Sequence, residues 1–212
     1  MKLYDYYRSS ASYRVRIALN LKGLSYEHYP VSLLDNEQSS TSYTSLNPSA
    51  LVPSFESDRG LLGQSIAIME YLEDCYPEPA ILPSSRWEKA KCREISLAIA
   101  CDIHPLNNLR VLNYLHSEFG VHQNEKMIWY HHWLSQGFQT LETLLSDSTH
   151  HFCCGDTPTM ADICLLPQIY NARRFGFDVG PYPTLQRIEQ HCLHLDAFVR
   201  AHPDAQSEQG TS

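Results

Sequence analysis

Pro77-Glu78-Pro79-Ala80-Ile81-Leu82-Pro83-Ser84-Ser85 divides the chain, and the residues on either side of it differ in kind. Proline lacks a backbone N–H and fixes its own φ, so a stretch this rich in it can neither continue a helix nor fill a central strand. We read it as a domain boundary. Upstream, short β-like runs alternate with helical ones; downstream, everything from Trp87 onward has helical periodicity. Mixed strands and helices followed by helices alone predict an α/β domain over residues 1–80 and an all-α domain over residues 87–212.

Working back from the boundary, Ile66, Met69 and Leu72 mark a helix with Ser65 as its expected N-cap. Asp58-Arg59-Gly60 reads as a hairpin turn. The strand before it, residues 51–56, is interrupted by Pro53, which places that proline at a sheet edge or at the strand's first residue. Asn47-Pro48 ends a short helix, because the residue ahead of proline is pushed out of helical space. A polar loop, Asp35-Asn36-Glu37-Gln38, precedes that helix, and strands are expected over residues 26–33 and 2–6. Between those strands, Ser9, Ser10 and Ser12 are cap candidates for a helix carrying Val15, Ala18, Leu19 and Leu21 on one face. Working forward, residues 87–116 read as one helix with Ile95, Ile99 and Ile103 at four-residue steps. Further helices are expected over 124–145, 160–175 and 184–201, and the polar tail 203–212 is expected to fray. Thr159-x-x-Asp162 is a capping-box pattern at the start of the 160–175 helix, with a structural role.

Composition narrows the function. The chain has 212 residues, 43% hydrophobic, with a net charge of -8, which argues against a nucleic-acid binder because phosphate contacts need clustered Lys and Arg. No apolar run approaches the roughly 20 residues of a membrane span, and the N-terminus reads as a strand rather than a signal peptide. A soluble, unexported protein with a small-molecule or protein partner is expected. The seven cysteines are irregularly spaced and absent from the first 74 residues, so they imply a reducing compartment rather than a disulfide framework. The eleven histidines are scattered and lack ligand spacing, so no metal site is expected.

Three features of the first half converge. In Arg8-Ser9-Ser10-Ala11-Ser12-Tyr13-Arg14-Val15-Arg16-Ile17-Ala18-Leu19, hydroxyls cluster where a strand meets a helix N-terminus, a place that favours anions and lowers a thiol's pKa. Leu51-Val52-Pro53 puts a proline at a strand entrance, where a cis bond would turn the Val52 backbone outward. Gln64-Ser65 sets an amide and a hydroxyl at a second helix N-terminus, which suits a carboxylate. In this order, with Gly155-Asp156-Thr157-Pro158-Thr159-Met160-Ala161-Asp162, Pro167-Gln168 and Asn171-Ala172-Arg173-Arg174-Phe175, the residues resemble zeta-class glutathione transferases. That class contains the maleylacetoacetate and maleylpyruvate isomerases. Cys101-Asp102-Ile103-His104-Pro105-Leu106-Asn107-Asn108-Leu109-Arg110 is most similar to the bacterial maleylpyruvate isomerases.

The resemblance implies a thioredoxin-like domain joined to a helical domain, glutathione as cofactor, and a cytoplasmic homodimer in aromatic catabolism. It assigns Ser9 to the glutathione sulfur, with Ser10 and the amides near Ala11 and Ser12 assisting. Gln38 would meet the glycyl end, Val52 ahead of cis-Pro53 the cysteinyl unit, and Gln64 and Ser65 the γ-glutamyl group, with His104 and Asn108 approaching from the helical domain. Many relatives carry a cysteine or hydroxyl residue where this chain has Ala11. The implied reaction is cis–trans isomerisation of a maleyl dicarboxylate, with glutathione returned unchanged. Because the protein is acidic, the dianion needs local cations, for which Arg8, Arg110 and Arg174 are candidates. On an unbroken helix Arg110 would point about 200° from Asn108, so both serve one site only if Pro105 breaks the helix. A general conjugating or dehalogenating transferase, or a non-catalytic transferase-like module, remains the alternative.

Overall fold

β1 (Lys2–Asp5) is the inner strand on which the first unit is assembled. It runs parallel to β2 (Glu27–Pro30) and antiparallel to β3 (Ser54–Ser57), which pairs antiparallel with β4 (Gly60–Gly63) in the order β2-β1-β3-β4. The structure is a computed structural model and describes residues 1–207. Helix α1 (Ser10–Leu21) connects β1 to β2, α2 (Thr41–Leu46) precedes β3, and α3 (Ser65–Cys75) follows β4. Leu3, Phe55, Val15, Ile17, Leu19, Ile68, Met69 and Leu72 are fully buried and form the core of this unit. β2 is shorter than residues 26–33 because the Ser32 side chain turns the chain onto Asp35, and its N–H onto Glu37. Pro53 lies just ahead of an inner strand, not at an edge; β2 and β4 are the edges.

The chain divides into two compact units, Met1–Ile81 together with the segment beginning at Leu193, and Leu82–Cys192. In the second unit, α4 (Arg86–Leu97), capped by Ser85, passes into a π turn (Ala98–Ile103) and a 3-10 turn (His104–Asn107). Then follow α5 (Leu109–Phe119), α6 (Gln123–Leu145), α7 (Met160–Arg174) and α8 (Pro183–Leu193). A single helix over 87–116 therefore does not form. Pro105 lacks the N–H that would continue the ladder, and the chain changes pitch on both sides of Ile103. α7 is the axis of this unit, with Met160, Ala161, Ile163, Cys164, Leu165, Leu166 and Ile169 no more than 2% exposed. Its capping box forms as expected, the Asp162 carboxylate accepting from Thr159 N and Oγ1, both at 2.8 Å, and from Cys153 N at 2.7 Å. Gly137 on α6 is required by a close approach, since a Cβ there would lie 2.3 Å from the Ile103 side chain.

The helix expected over 184–201 is two helices, because the chain breaks at His194 and restarts as α9 (Asp196–Arg200). The segment beginning at Leu193 groups with the first compact unit. Phe198 and Ala201 bury against α1, where Tyr13 Oη donates to Phe198 O at 3.3 Å, Arg16 Nε to Ala201 O at 3.0 Å and Asn20 Nδ2 to Ala197 O at 3.0 Å. Of the tail expected to fray, Pro203–Ser207 is helical. Residues 208–212 lie outside the described residues.

Candidate active site

Ser9 settles which of the three clustered serines caps α1. It adopts the extended cap conformation and its Oγ accepts from Ser12 N at 3.2 Å. A hydroxyl that accepts inward keeps its one proton to donate outward, and the amides of the first helical turn, including those of Ser10 and Ala11, have no intrahelical acceptors. A partly exposed hydroxyl and the positive end of the helix dipole thus occur together. Ser10 is 5% exposed and Ala11 half-buried, whereas Ser12 is fully buried, with an Oγ that meets no hydrogen-bond partner. Ser12 therefore sits behind this surface and contributes only to its support.

The turn carrying Ser9 is braced from beneath by residues that sequence reading passed over as part of the helix. Arg16, fully buried, pairs with buried Asp5 at 2.5 Å and donates from Nη2 to Tyr7 O at 2.9 Å. Asp5 also pairs with His28 across the β1–β2 edge. The available signal was two arginines on a helix otherwise buried along its length, since a buried cation is retained only with partners.

Val52 lies outside the sheet, half-buried, and its peptide bond to Pro53 is cis, as expected from the resemblance. The loop ahead of it is held by Tyr43 and Asn47, which donate to Leu51 O at 2.7 and 2.9 Å and both engage Ser54 Oγ. Burial pushes the Tyr43 phenol up, so it stays a donor. Gln64, not Ser65, is the cap residue of α3, with φ +65°; Ser65 is the first helical residue. The Ser65 Oγ accepts from Arg14 Nη1 at 3.3 Å in the interior. Gln38 lies in a 3-10 turn (Glu37–Ser39); its Nε2 donates to Asn36 Oδ1 at 2.8 Å, and its Oε1 is buried without a hydrogen-bond partner.

Arg8 belongs to this unit too, exposed, with Cζ 5.0 Å from the Tyr7 ring. His104, Asn108, Arg110 and Arg174 belong to the second unit. The helix is broken at Pro105, which meets the condition on Asn108 and Arg110, and Asn108 becomes the cap of α5 with its Oδ1 accepting from Arg110 N at 3.1 Å. That oxygen is consequently engaged locally; His104 opens the 3-10 turn and is half-buried. Arg174, the exposed last residue of α7, has its Cζ 4.7 Å from the Phe175 ring and donates to Asn171 Oδ1 at 3.3 Å. Asn171 donates in turn to Tyr130 Oη at 2.7 Å, and burial holds that phenol well above its ordinary range. Asn171 and Tyr130 were not singled out from sequence; a polar residue three positions before a terminal arginine was the signal.

A cavity of about 190 Å³ beside Trp133 and Ile103 contains none of these residues. Among the described residues no group of three or more His, Cys, Asp or Glu is placed to hold a metal ion.

Comparison with known proteins bears on the whole chain. The family model of the glutathione S-transferase N-terminal domain matches residues 3–80, and that of the C-terminal domain matches residues 134–191. A probable maleylacetoacetate isomerase of Vibrio cholerae is 46% identical over 208 residues, 97% of each chain. The holo structure of a bacterial maleylpyruvate isomerase, a zeta-class glutathione S-transferase, superposes with a TM-score of 0.95 at 43% identity, covering 97% of this chain and 98% of that one. A maleylacetoacetate isomerase from Methylobacterium extorquens AM1, solved with malonate and glutathione bound, gives 0.93 at 38% identity and 96% coverage of both chains. With strands and helices in the thioredoxin-like order ahead of a helical unit, and relatives matched from end to end, the chain belongs to the glutathione S-transferase family and to its zeta-class isomerases.

Proposed function

We propose that this protein is a glutathione-dependent cis–trans isomerase that converts a maleyl dicarboxylate, maleylpyruvate or maleylacetoacetate, to its fumaryl isomer. The observation that carries the reading is Ser9, a half-buried hydroxyl that accepts from its own helix and is left as a donor at the positive end of α1. The residues present fit glutathione. Gln38 Oε1 is a buried acceptor suited to a peptide N–H, the main chain at Val52 is outside the sheet, and Gln64 and Ser65 open a helix of 11 residues where a carboxylate is favoured.

When bound, glutathione supplies the thiolate nucleophile and is regenerated. Ser9 donates to that sulfur, with the amides after it favouring the charged form, and Ser10 assists from the first turn. Gln38 takes the glycyl end, Val52 the cysteinyl unit, and Gln64 and Ser65 the γ-glutamyl end. Arg174, steadied by Phe175 and Asn171, pairs with a carboxylate of the substrate, with Arg8 and Arg110 as further candidate cations and His104 and Asn108 as further candidate ligand contacts. No cysteine of the chain takes part. The reading includes a cytoplasmic homodimer acting in aromatic catabolism, as the family resemblance implies. Among the described residues no helix is long and apolar enough to cross a membrane.

Turnover with glutathione far below substrate tests the proposal. The fumaryl product should exceed glutathione many times over while total thiol stays constant. Consumption of one glutathione per product would assign a conjugating transferase, and no turnover a binding module.

A further inference from the structure

We propose that Arg14 is a positioning residue that fixes the Ser65 hydroxyl as a hydrogen-bond donor and so makes the N-terminus of α3 select a ligand carboxylate over its neutral amide. The inference rests on the reading of Gln64 and Ser65 as the γ-glutamyl site and adds a cause for its charge preference.

Arg14 projects from α1, is 2% exposed, and meets Ser65 Oγ in the interior at 3.3 Å. A guanidinium has donors only, so the serine oxygen must accept. Ser65 is 5% exposed and opens α3, so its backbone N–H is one of the helix's unpaired donors. With an oxygen lone pair engaged by Arg14, the remaining hydroxyl proton is available to the same ligand as that N–H. Two donors are therefore offered to the ligand, and Arg14 occupies one of the hydroxyl's two acceptor sites. A carboxylate, which accepts only, satisfies both; a carboxamide has one oxygen for the two donors and brings N–H groups that compete with Arg14 for the hydroxyl oxygen. If an acceptor stood in place of Arg14, the Ser65 proton would turn inward and its oxygen would welcome an amide. Gln64, with φ +65°, turns the chain immediately before the helix and leaves these donors at its open end.

The test compares calorimetric affinities of reduced glutathione and of its analogue with the γ-glutamyl α-carboxylate converted to carboxamide. The wild type should prefer glutathione by about tenfold or more, the scale of one charge-assisted hydrogen bond. Arg14→Met should cut that ratio to about threefold or less, while Arg14→Lys, which retains a donor, should restore most of it. Ser65→Ala should cut the ratio similarly, and Arg14→Met should add little in that background. Equal weakening of both ligands by Arg14→Met, or an undiminished effect in Ser65→Ala, would overturn the proposal. A ratio unmoved by Ser65→Ala and Gln64→Ala would instead overturn the γ-glutamyl reading beneath it. Should Arg14→Met not fold, Arg14→Leu gives the same decision. Its side chain has no donor for the Ser65 oxygen, so the ratio falls if the proposal holds and stays at the wild-type value if it does not.

Discussion

Ser9→Ala separates two roles that one oxygen performs. Removing Oγ leaves Ser12 N without its 3.2 Å acceptor, and loss of such a cap costs about 1 kcal/mol, or roughly 2–4 °C in Tm for a chain of this size. Removing the hydroxyl proton has a different consequence. A hydrogen bond to a charged acceptor contributes about 1.5–3 kcal/mol, so the pKa of glutathione's thiol in the complex should rise by about 1–2 units. At any pH below the wild-type value the thiolate fraction, and with it kcat/KM, should fall tenfold to a hundredfold, and by less between the two values. Activity should recover as pH rises. The assay is kcat/KM against pH beside ultraviolet titration of the bound thiol, with thermal melts to report the cap. Ser9→Thr, which retains both cap and donor, should stay near the wild type in each. If Tm drops while the acid limb of the pH profile stays in place, Ser9 is a cap alone, and stabilisation of the thiolate moves to Ser10 or the amides of the first turn.

Arg174→Ala should lower kcat/KM for a maleyl dicarboxylate at least tenfold, given about 1.5–3 kcal/mol per charge-assisted bond, and leave neutral electrophiles and glutathione affinity almost unchanged; equal losses for charged and neutral substrates would make it a support of the fold. Asp162→Ala orphans Cys153 N and Thr159 N, which the carboxylate receives at 2.7 and 2.8 Å, and should cost about 3 kcal/mol in chemical denaturation, whereas a loss under about 0.5 kcal/mol would show water replacing it. His202 is held below its ordinary 6.5 by burial, against the opposing pull of Asp204 and with Arg16 adding to the shift. Its unfolded form therefore binds the proton first, and stability should fall as pH drops from above 6.5 through the folded value; His202→Gln should flatten that slope, and an unchanged slope would exclude the residue as its source.

Elements were legible where one local rule governed. Thr159 and Asp162 named their own capping box, and the prolines between residues 77 and 85 fall where neither α3 nor α4 extends. Breaks inside helical periodicity were not legible as breaks. Ile95, Ile99 and Ile103 keep one face across α4 and the π turn, so the pattern continues where the hydrogen bonding changes. Nor could periodicity say that the segment after Cys192 packs on α1, because an apolar stripe specifies that a helix is buried but not against what. In the site, residue types were readable and their supports were not. Asn47 read as the end of a helix before proline, yet its side chain holds Leu51 O and Ser54. Arg16 carried no role in the sequence reading, yet its side chain holds Tyr7 O, two residues before Ser9.

The same physics explains why capping and ligand binding compete so poorly as readings of a serine in this chain. Ser9 and Ser65 each give an oxygen lone pair to the protein, one to an amide of its own helix and one to a buried guanidinium. A hydroxyl has one proton and two acceptor sites, so an oxygen that takes one bond from within keeps its proton for an outward acceptor. A free serine on a loop would choose its role with each ligand and lose that choice as entropy on binding. The structural role of these hydroxyls is therefore what prepares them for anions. It follows that their supporting donors, Ser12 N and Arg14, belong to the chemistry of the site although neither need touch a ligand.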